Sequence, residues 1–121
     1  MTDVDFAGAA ALVRSDFLGL VEVRERTVVW ANAAMHRIFG YNPRELLGQP
    51  TRIFFPDDAS YQAFARAVYP VLQTGGVFGG EVEQRRKDGS LGWFRFNISL
   101  RSDESDIIVA AVIDVTEQRR A

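Results

Sequence analysis

The chain has 121 residues, of which 47% are hydrophobic and 25% charged, and its formal net charge is −2. This length predicts one domain, and the small negative charge gives no reason to expect nucleic acid or an anionic membrane as a partner. The absence of cysteine excludes disulfides, thiolate metal sites and cysteinyl–flavin adducts. No apolar run approaches the roughly 20 residues that span a bilayer, and the first residues lack a signal-peptide pattern. We therefore expect a cytoplasmic domain.

Residues 1–18 predict an amphipathic helix, because apolar side chains recur there at helical spacing. These side chains are Phe6, Ala9, Ala10, Val13 and Phe17. A helix with one apolar stripe needs a surface to pack on, and we expect the outer face of a sheet or a second copy of the chain to supply it. This segment is interpreted as a cap or dimerisation helix.

Two short β-strands are predicted next, joined by a tight polar turn at Glu25–Arg26. Asn32 stands where the N-cap of a helix belongs, and Gly40 can end that helix in a left-handed conformation. A second short helix is predicted with Asn42 as its N-cap and Pro43 at its first position.

A longer helix is predicted over residues 58–74, started by Asp57 or Asp58. Gly75–Gly76 is expected to end it, and Pro70 lies near its end as a candidate kink. Its predicted buried stripe consists of Phe64, Val68, Val71 and Leu72.

Three strands complete the predicted order of elements. The turn Lys87–Asp88–Gly89 predicts a hairpin, because glycine accepts a positive φ. In the strand after it, alternation places Phe94, Phe96 and Ile98 on one face and Trp93, Arg95 and Asn97 on the other. The last strand, "IIVAAVIDVT", is apolar on both faces and is predicted to be central. Together these elements predict an antiparallel α+β domain with helices on one face of the sheet.

The sequence resembles a PAS domain, the sensory and dimerisation module of bacterial signalling proteins. Three stretches carry the resemblance in this order: VVWANAAMHRIFGYNPRELLGQP, RRKDGSLGWFRFNIS and DVTEQRR. The resemblance implies a five-stranded antiparallel sheet of order 2-1-5-4-3, with a PAS core at residues 19–116 and the start of a C-terminal signalling linker at 117–121. Asp114 and Thr116 match the family's signal-transfer motif, in which the carboxylate commonly pairs with a basic residue.

The resemblance also implies a function, which is sensing or scaffolding upstream of a separate effector. A transcription regulator, a diguanylate cyclase and a histidine kinase remain open as that effector. The interior is predicted to hold a small, mostly apolar ligand or to be densely packed, and a cavity above roughly 300 Å³ would favour sensing. The expected cavity residues are Phe54, Phe64, Val68, Phe78, Phe94, Phe96 and Val112.

No catalytic site, metal site or cofactor is predicted. The single histidine, His36, lies on a short helix, whereas PAS domains that bind haem use a histidine on the long helix. Non-covalent flavin would need amide groups, and we interpret Asn97 and Gln84 as facing water. Capping explains the neighbouring carboxylates Asp57 and Asp58. Haem, flavin and enzymatic activity are therefore disfavoured.

Trp93 is predicted to face away from the helices, on a side of the sheet that no later part of the chain covers. An exposed tryptophan on this face would form part of an apolar patch. Together with Phe6, Val13 and Phe17, it predicts a homodimer.

Overall fold

The computed structural model describes residues 17–102 and 106–121. Five β-strands form one antiparallel sheet in the order β2-β1-β5-β4-β3, which confirms the predicted topology. The strands are β1 Gly19–Arg24, β2 Thr27–Ala31, β3 Phe78–Arg85, β4 Leu91–Leu100 and β5 Ile108–Asp114. The helices are α1 Ala34–Phe39, α2 Pro43–Leu46, a 3₁₀ helix Thr51–Phe54, α3 Asp58–Gln73 and α4 Thr116–Arg120. Most of the predicted N-terminal helix, including Phe6 and Val13, lies outside the described residues.

Both predicted hairpin turns are present. Glu25 and Arg26 have φ values of 49° and 61°, and they join β1 to β2 with the left-handed backbone that matches strand twist. Gly89 has a φ of 89° in the turn between β3 and β4. The backbone amide of Arg86 closes that turn by donating to the carbonyl of Ser90 at 2.8 Å.

Most of the predicted helix ends are confirmed. Gly40 ends α1 in a left-handed conformation with a φ of 87°. The Asn42 side chain accepts from the Arg44 amide at 2.9 Å, and the Glu45 carboxylate accepts from the Asn42 amide at 2.8 Å, which completes a capping box. Asp57 caps α3 by accepting from the Ser60 amide at 2.8 Å.

The prediction that Asn32 caps α1 is wrong, because the N-cap of that helix is Ala33. The Asn32 side chain is buried and bonds to the backbone that leads into β1. Its Oδ1 accepts from the Leu20 amide at 3.0 Å, and its Nδ2 donates to the Leu18 carbonyl at 2.9 Å. An amide carries both a donor and an acceptor, so it satisfies two backbone groups that a cap would leave unpaired.

The buried stripe of α3 differs in part from the predicted one. Tyr61, Ala65, Val68 and Leu72 are buried, while Phe64 is only partly buried. The spacing of four, three and four residues is that of one helical face. Val68 and Leu72 lie on this face as predicted, whereas Phe64 and Val71 are only partly buried. The hydroxyl of Tyr61 does not prevent its burial, because that oxygen has a hydrogen-bond partner in Thr51.

The core lies between the helices and one face of the sheet. Phe39 of α1 lies at its centre, with ring centroids 4.9 Å from Phe54 and 4.5 Å from Phe94. β5 is flanked by β1 and β4, as its apolar sequence predicted, and its side chains Ala110 and Val112 are buried. Its other face is apolar as well but is not fully buried, because Ile113 on that face is exposed.

Gly19, at the start of β1, provides a first test of this packing. A Cβ at this position would lie 2.7 Å from a Val112 methyl and 2.8 Å from the Met35 sulfur. We expect Gly19→Ala to lower the free energy of unfolding by about 1–3 kcal/mol through overpacking, as measured by urea denaturation. Gly79→Ala is the control, because a Cβ there meets nothing within 4 Å. Equal effects of the two substitutions would contradict the described packing.

Candidate functional site

An interior cavity of about 70 Å³ lies between the inner face of the sheet and helices α1 and α3. Five of the seven predicted cavity residues line it, namely Phe54, Phe64, Val68, Phe96 and Val112. Phe94 is buried completely but packs against Phe39 rather than the cavity. Phe78 contacts the cavity only through Phe64, whose ring centroid is 6.1 Å from its own.

The structure adds lining residues that the sequence analysis did not select. They comprise aliphatic side chains of β1, β4 and β5, Met35 of α1, further aromatic side chains, and two polar ones: Val21, Val23, Ile98, Ile108, Ala110, Met35, Phe39, Phe55, Tyr61, Tyr69, Thr51 and Gln84. Period-two alternation could have found the lining residues of β3, β4 and β5, because each lies an even number of positions from a predicted cavity residue on its own strand. Gln84, for example, is six positions from Phe78 on β3 and therefore shares its face. Alternation could not have found Val21 and Val23, because no residue of β1 was predicted to line the cavity.

Gln84 is the only cavity residue whose predicted environment is wrong. We expected its side chain to face water, but it is 3% exposed and lines the cavity. Its Oε1 atom has no hydrogen-bond partner in the part of the chain that the structure describes. Asn97, with which it was grouped, is exposed as expected. The polar residue type of Gln84 predicts an outward-facing side chain, whereas its register on β3 places it on the inner face with Phe78.

Two tyrosines form the part of the cavity wall nearest to the β1–β2 turn. The guanidinium carbon of Arg26 lies 4.9 Å from the ring centroid of Tyr69 and 5.7 Å from that of Tyr61. The Tyr61 hydroxyl and the Thr51 hydroxyl are 3.2 Å apart and share a hydrogen bond. Burial raises the pKa of Tyr69, so this phenol stays neutral at physiological pH. The exposed Arg26 therefore covers this wall from the solvent side through cation–π contacts.

A second set of polar contacts joins the end of β5 to α4, and we call Arg86, Trp93, Asp114 and Thr116 the Asp114 cluster. Asp114 Oδ2 accepts from Arg86 Nη2 at 2.9 Å, which agrees with the basic partner that the resemblance implied. Asp114 Oδ1 accepts from the amide and the hydroxyl of Thr116 at 2.9 and 2.6 Å. The Thr116 hydroxyl oxygen also accepts from the Trp93 amide at 3.0 Å. The first turn of α4 is thus bonded to both β4 and β5.

The charge of Asp114 depends on a balance of burial and hydrogen bonds. Burial alone would raise the pKa of its carboxyl group, but the two hydrogen bonds from Thr116 and the contact with Arg86 outweigh burial, so the pKa lies below its ordinary value. The Arg86 guanidinium also lies 5.3 Å from the ring centroid of Phe94. The Asp114 cluster therefore contacts the aromatic core directly.

The expectation that no later part of the chain covers Trp93 is wrong. Trp93 faces outward as predicted, but the guanidinium carbon of Arg119 in α4 lies 3.6 Å from its ring centroid. Arg119 also bonds to Glu81 at 2.7 Å, and Glu81 accepts from Arg95 at 2.8 Å. These hydrogen bonds lower the pKa of Glu81. α4 therefore packs on the outer face of the sheet through charged and cation–π contacts, which apolar patterning does not predict.

The remaining candidate residues lie on the surface. His36 is exposed in the last turn of α1, and Phe17 is 74% exposed with its ring centroid 6.0 Å from the Arg37 guanidinium carbon. Within residues 17–102 and 106–121, no three or more His, Asp or Glu side chains are grouped to hold a metal ion. No helix in those ranges is long and apolar enough to cross a bilayer.

Comparison with known proteins gives consistent results. A family profile described as the PAS fold matches residues 15–120. The sensor histidine kinase TmoS of Ectopseudomonas mendocina is 31% identical over 101 residues, which is 80% of this chain but 10% of that protein. The chain thus spans a small part of this curated relative.

Two solved structures share the fold of the chain. One is the PAS domain, in complex with ethanol, of a LuxR-family transcriptional regulator from Burkholderia thailandensis. Its TM-score is 0.78 and its sequence identity is 19%, and the match covers 93% of this chain and 98% of that one. The other is a PAS domain from Colwellia psychrerythraea, with a TM-score of 0.81, 18% identity and coverage of 92% and 96%. The family match, the sheet order and the Asp114 cluster agree, and the chain belongs to the PAS family as a PAS sensory domain.

Proposed function

We propose that this domain binds a small, mostly apolar molecule in its cavity and passes the occupied state to an effector joined through α4. The main support for this proposal is that β5 contacts both the cavity and α4. Ala110 and Val112 line the cavity, and Asp114 at the end of the same strand bonds to the first turn of α4. A ligand that moves the cavity wall therefore acts on the strand that holds the helix, and so biases two arrangements of the effector.

The relatives support an effector of a signalling class. TmoS is a sensor histidine kinase, and the Burkholderia thailandensis domain belongs to a transcriptional regulator of the LuxR family. We infer that this domain serves a cytoplasmic bacterial regulator of the kinase or transcription-factor class, and that it contributes no catalysis of its own. A diguanylate cyclase remains a third effector that the sequence resemblance allows.

The cavity volume limits the ligand. At about 70 Å³ the cavity is well below the roughly 300 Å³ above which we expected the volume to favour sensing, so the volume by itself favours a densely packed scaffold. A ligand of this cavity must therefore be much smaller than a drug-sized molecule. One water molecule, which has a single non-hydrogen atom, needs about 10–15 Å³ of cavity volume. By this measure the cavity has room for roughly five non-hydrogen atoms. The Burkholderia thailandensis PAS domain was solved with ethanol, a molecule of this size class. Haem and isoalloxazine are far larger, and the proposed ligand is a small organic molecule instead.

A second candidate function is dimerisation without a ligand, and the outer face of the sheet favours it. Leu18, Ala111 and Ile113 lie there beside Gly79, which leaves a shallow groove because it has no side chain. Ile113 is 41% exposed. We propose that this groove, together with residues 1–18, pairs two copies of the chain. Native mass spectrometry of the 121-residue chain tests this directly, and a monomer at micromolar concentration would contradict it.

Xenon tests whether the cavity admits a ligand, because apolar cavities bind this atom. We expect xenon pressure to shift the amide resonances of Ala110 and Val112 and to change hydrogen exchange at the Thr116 amide. Ala110→Leu should abolish these effects by filling the cavity, and Ala67→Leu is the matched control, because Ala67 is an exposed alanine of α3 that lines neither the cavity nor the proposed dimer groove. The absence of any shift in the wild type, or equal loss in both variants, would refute a ligand-binding cavity.

A further inference from the structure

Gln84 carries a buried acceptor that no residue in the described part of the chain uses. The side chain is 3% exposed and Oε1 has no hydrogen-bond partner among the described residues. Burying an amide oxygen without a partner is unfavourable, and such oxygens are uncommon in folded proteins. A leucine or methionine of similar size would fill this position on β3 without that cost. The position therefore points to a partner outside the described residues.

The residue that carries this acceptor lines the cavity. Gln84 lines it together with apolar side chains of β1, α3 and β5, such as Val21, Val68 and Ala110. The hydroxyls of Thr51 and Tyr61 are also in the lining, but they hydrogen-bond to each other at 3.2 Å. The Gln84 oxygen is thus an unused acceptor in a mostly apolar wall.

The uncharged lining and the small volume of the cavity limit the chemical class of the ligand. No Asp, Glu, Lys or Arg side chain is among the described residues that line the cavity. An ion would therefore be desolvated there without a counter-charge, which disfavours charged ligands strongly. The volume of about 70 Å³ restricts the occupant to roughly five non-hydrogen atoms.

We propose that Gln84 determines ligand specificity, and that the cavity takes a small neutral molecule with one hydroxyl or N–H group. This group donates a hydrogen bond to Gln84 Oε1, and the alkyl part of the molecule contacts the apolar lining. The inference rests on the ligand-binding cavity proposed above and adds the chemical class of the ligand. A site that offers a buried acceptor rejects analogues without a donor, because the acceptor then stays unpaired.

Propan-2-ol and acetone are a matched pair of probes for this inference. They have the same four non-hydrogen atoms, but only the alcohol can donate a hydrogen bond. We expect propan-2-ol to bind the wild-type chain at least about tenfold more tightly than acetone. The measurement is a titration of backbone amide chemical shifts at β3 and β5, which is suited to dissociation constants of roughly millimolar size.

Gln84→Leu should reduce the ratio of the two affinities to about one while xenon still binds, because the variant keeps the cavity but loses the acceptor. Gln84→Met gives the same test with an unbranched side chain if the leucine variant does not fold. Gln73→Leu is the matched control, since Gln73 is an exposed glutamine at the end of α3. This control should keep the wild-type preference for the alcohol.

The possible results separate this inference from the proposed function. If xenon binds but the wild type does not prefer propan-2-ol, or if Gln84→Leu keeps the preference, the role of Gln84 is refuted and the cavity is not. If neither xenon nor either probe shifts any cavity resonance, both proposals are refuted. A tenfold preference that only the Gln84 variants lose is the result we expect.

Discussion

Phe94→Ala is expected to lower the free energy of unfolding by about 3–5 kcal/mol, the largest effect of any single substitution considered for this domain. The Phe94 ring is 0% exposed and stacks on Phe39 with ring centroids 4.5 Å apart. Truncation would remove most of its apolar contacts and leave a cavity that the strands around it cannot close. Domains of this size have a total stability of roughly 5–15 kcal/mol, so a large part would be lost. Urea denaturation measures the change.

Leu47→Ala is the control, because Leu47 is a large apolar residue at 50% exposure and lies outside the proposed dimer surface. We expect the free energy of unfolding of this control variant to stay within about 0.5 kcal/mol of the wild-type value. A loss below about 1 kcal/mol for Phe94→Ala would contradict the described core. Since the Arg86 guanidinium lies over the Phe94 ring, the same variant should also loosen the Asp114 cluster.

Asp114→Ala is expected to give the second large effect, which is the release of α4 from the sheet. The carboxylate accepts from the amide and hydroxyl of Thr116 and from Arg86, so its removal leaves three donors without their acceptor. Its side chain is 34% exposed, and solvent screening therefore limits the loss to about 1–2 kcal/mol. We expect the amide of Thr116 to exchange with solvent at least about tenfold faster.

Asp106→Ala is the control for Asp114→Ala, because Asp106 forms a surface ion pair with Arg24 in which both side chains are more than half exposed. Such pairs contribute about 0–1 kcal/mol. Unchanged exchange at Thr116 in Asp114→Ala would show that the cluster does not hold α4. That result would also remove the observation on which the proposed signalling route depends.

The same cluster has a defined pH dependence. The folded-state pKa of Asp114 is lowered from its ordinary value of 3.8, so the unfolded chain takes up a proton first as the pH falls. The stabilisation by this carboxylate is therefore fully present above about pH 4 and is lost as the pH falls from there through the folded-state pKa. Wild type and Asp114→Asn should accordingly approach equal stability at lower pH. Because the two proteins share all other carboxylates, the difference between their free energies of unfolding isolates the contribution of Asp114.

The local structure of this domain was predictable from sequence because its causes are local. The left-handed turn at Glu25–Arg26, the cap at Asn42 and the turn at Gly89 each depend on a few neighbouring residues. The central position of β5 could be inferred from a strand that is apolar on both faces. The strand order itself followed from the family resemblance rather than from periodicity.

Side-chain partners were predicted less well, and three residues show why. Asn32 bonds to the backbone of Leu18 and Leu20, which are 14 and 12 positions away, so the cap expected from its neighbours did not form. Gln84 is polar, but its register on β3 turns it into the cavity. Trp93 is covered by Arg119, which reaches it only because α4 folds back over the outer face.

The amino-acid sequence by itself determined the turns, the helix caps, the alternation of the strands and the family, since these depend on backbone preferences and on the order of nearby residues. Only the tertiary structure decided the volume of the cavity, the unpaired oxygen of Gln84 and the contacts of Asp114 with Arg86 and Thr116. Arg86 and Asp114 are 28 positions apart. Contacts of this kind depend on how separate strands and helices pack against each other, and a pattern along one chain does not contain that information.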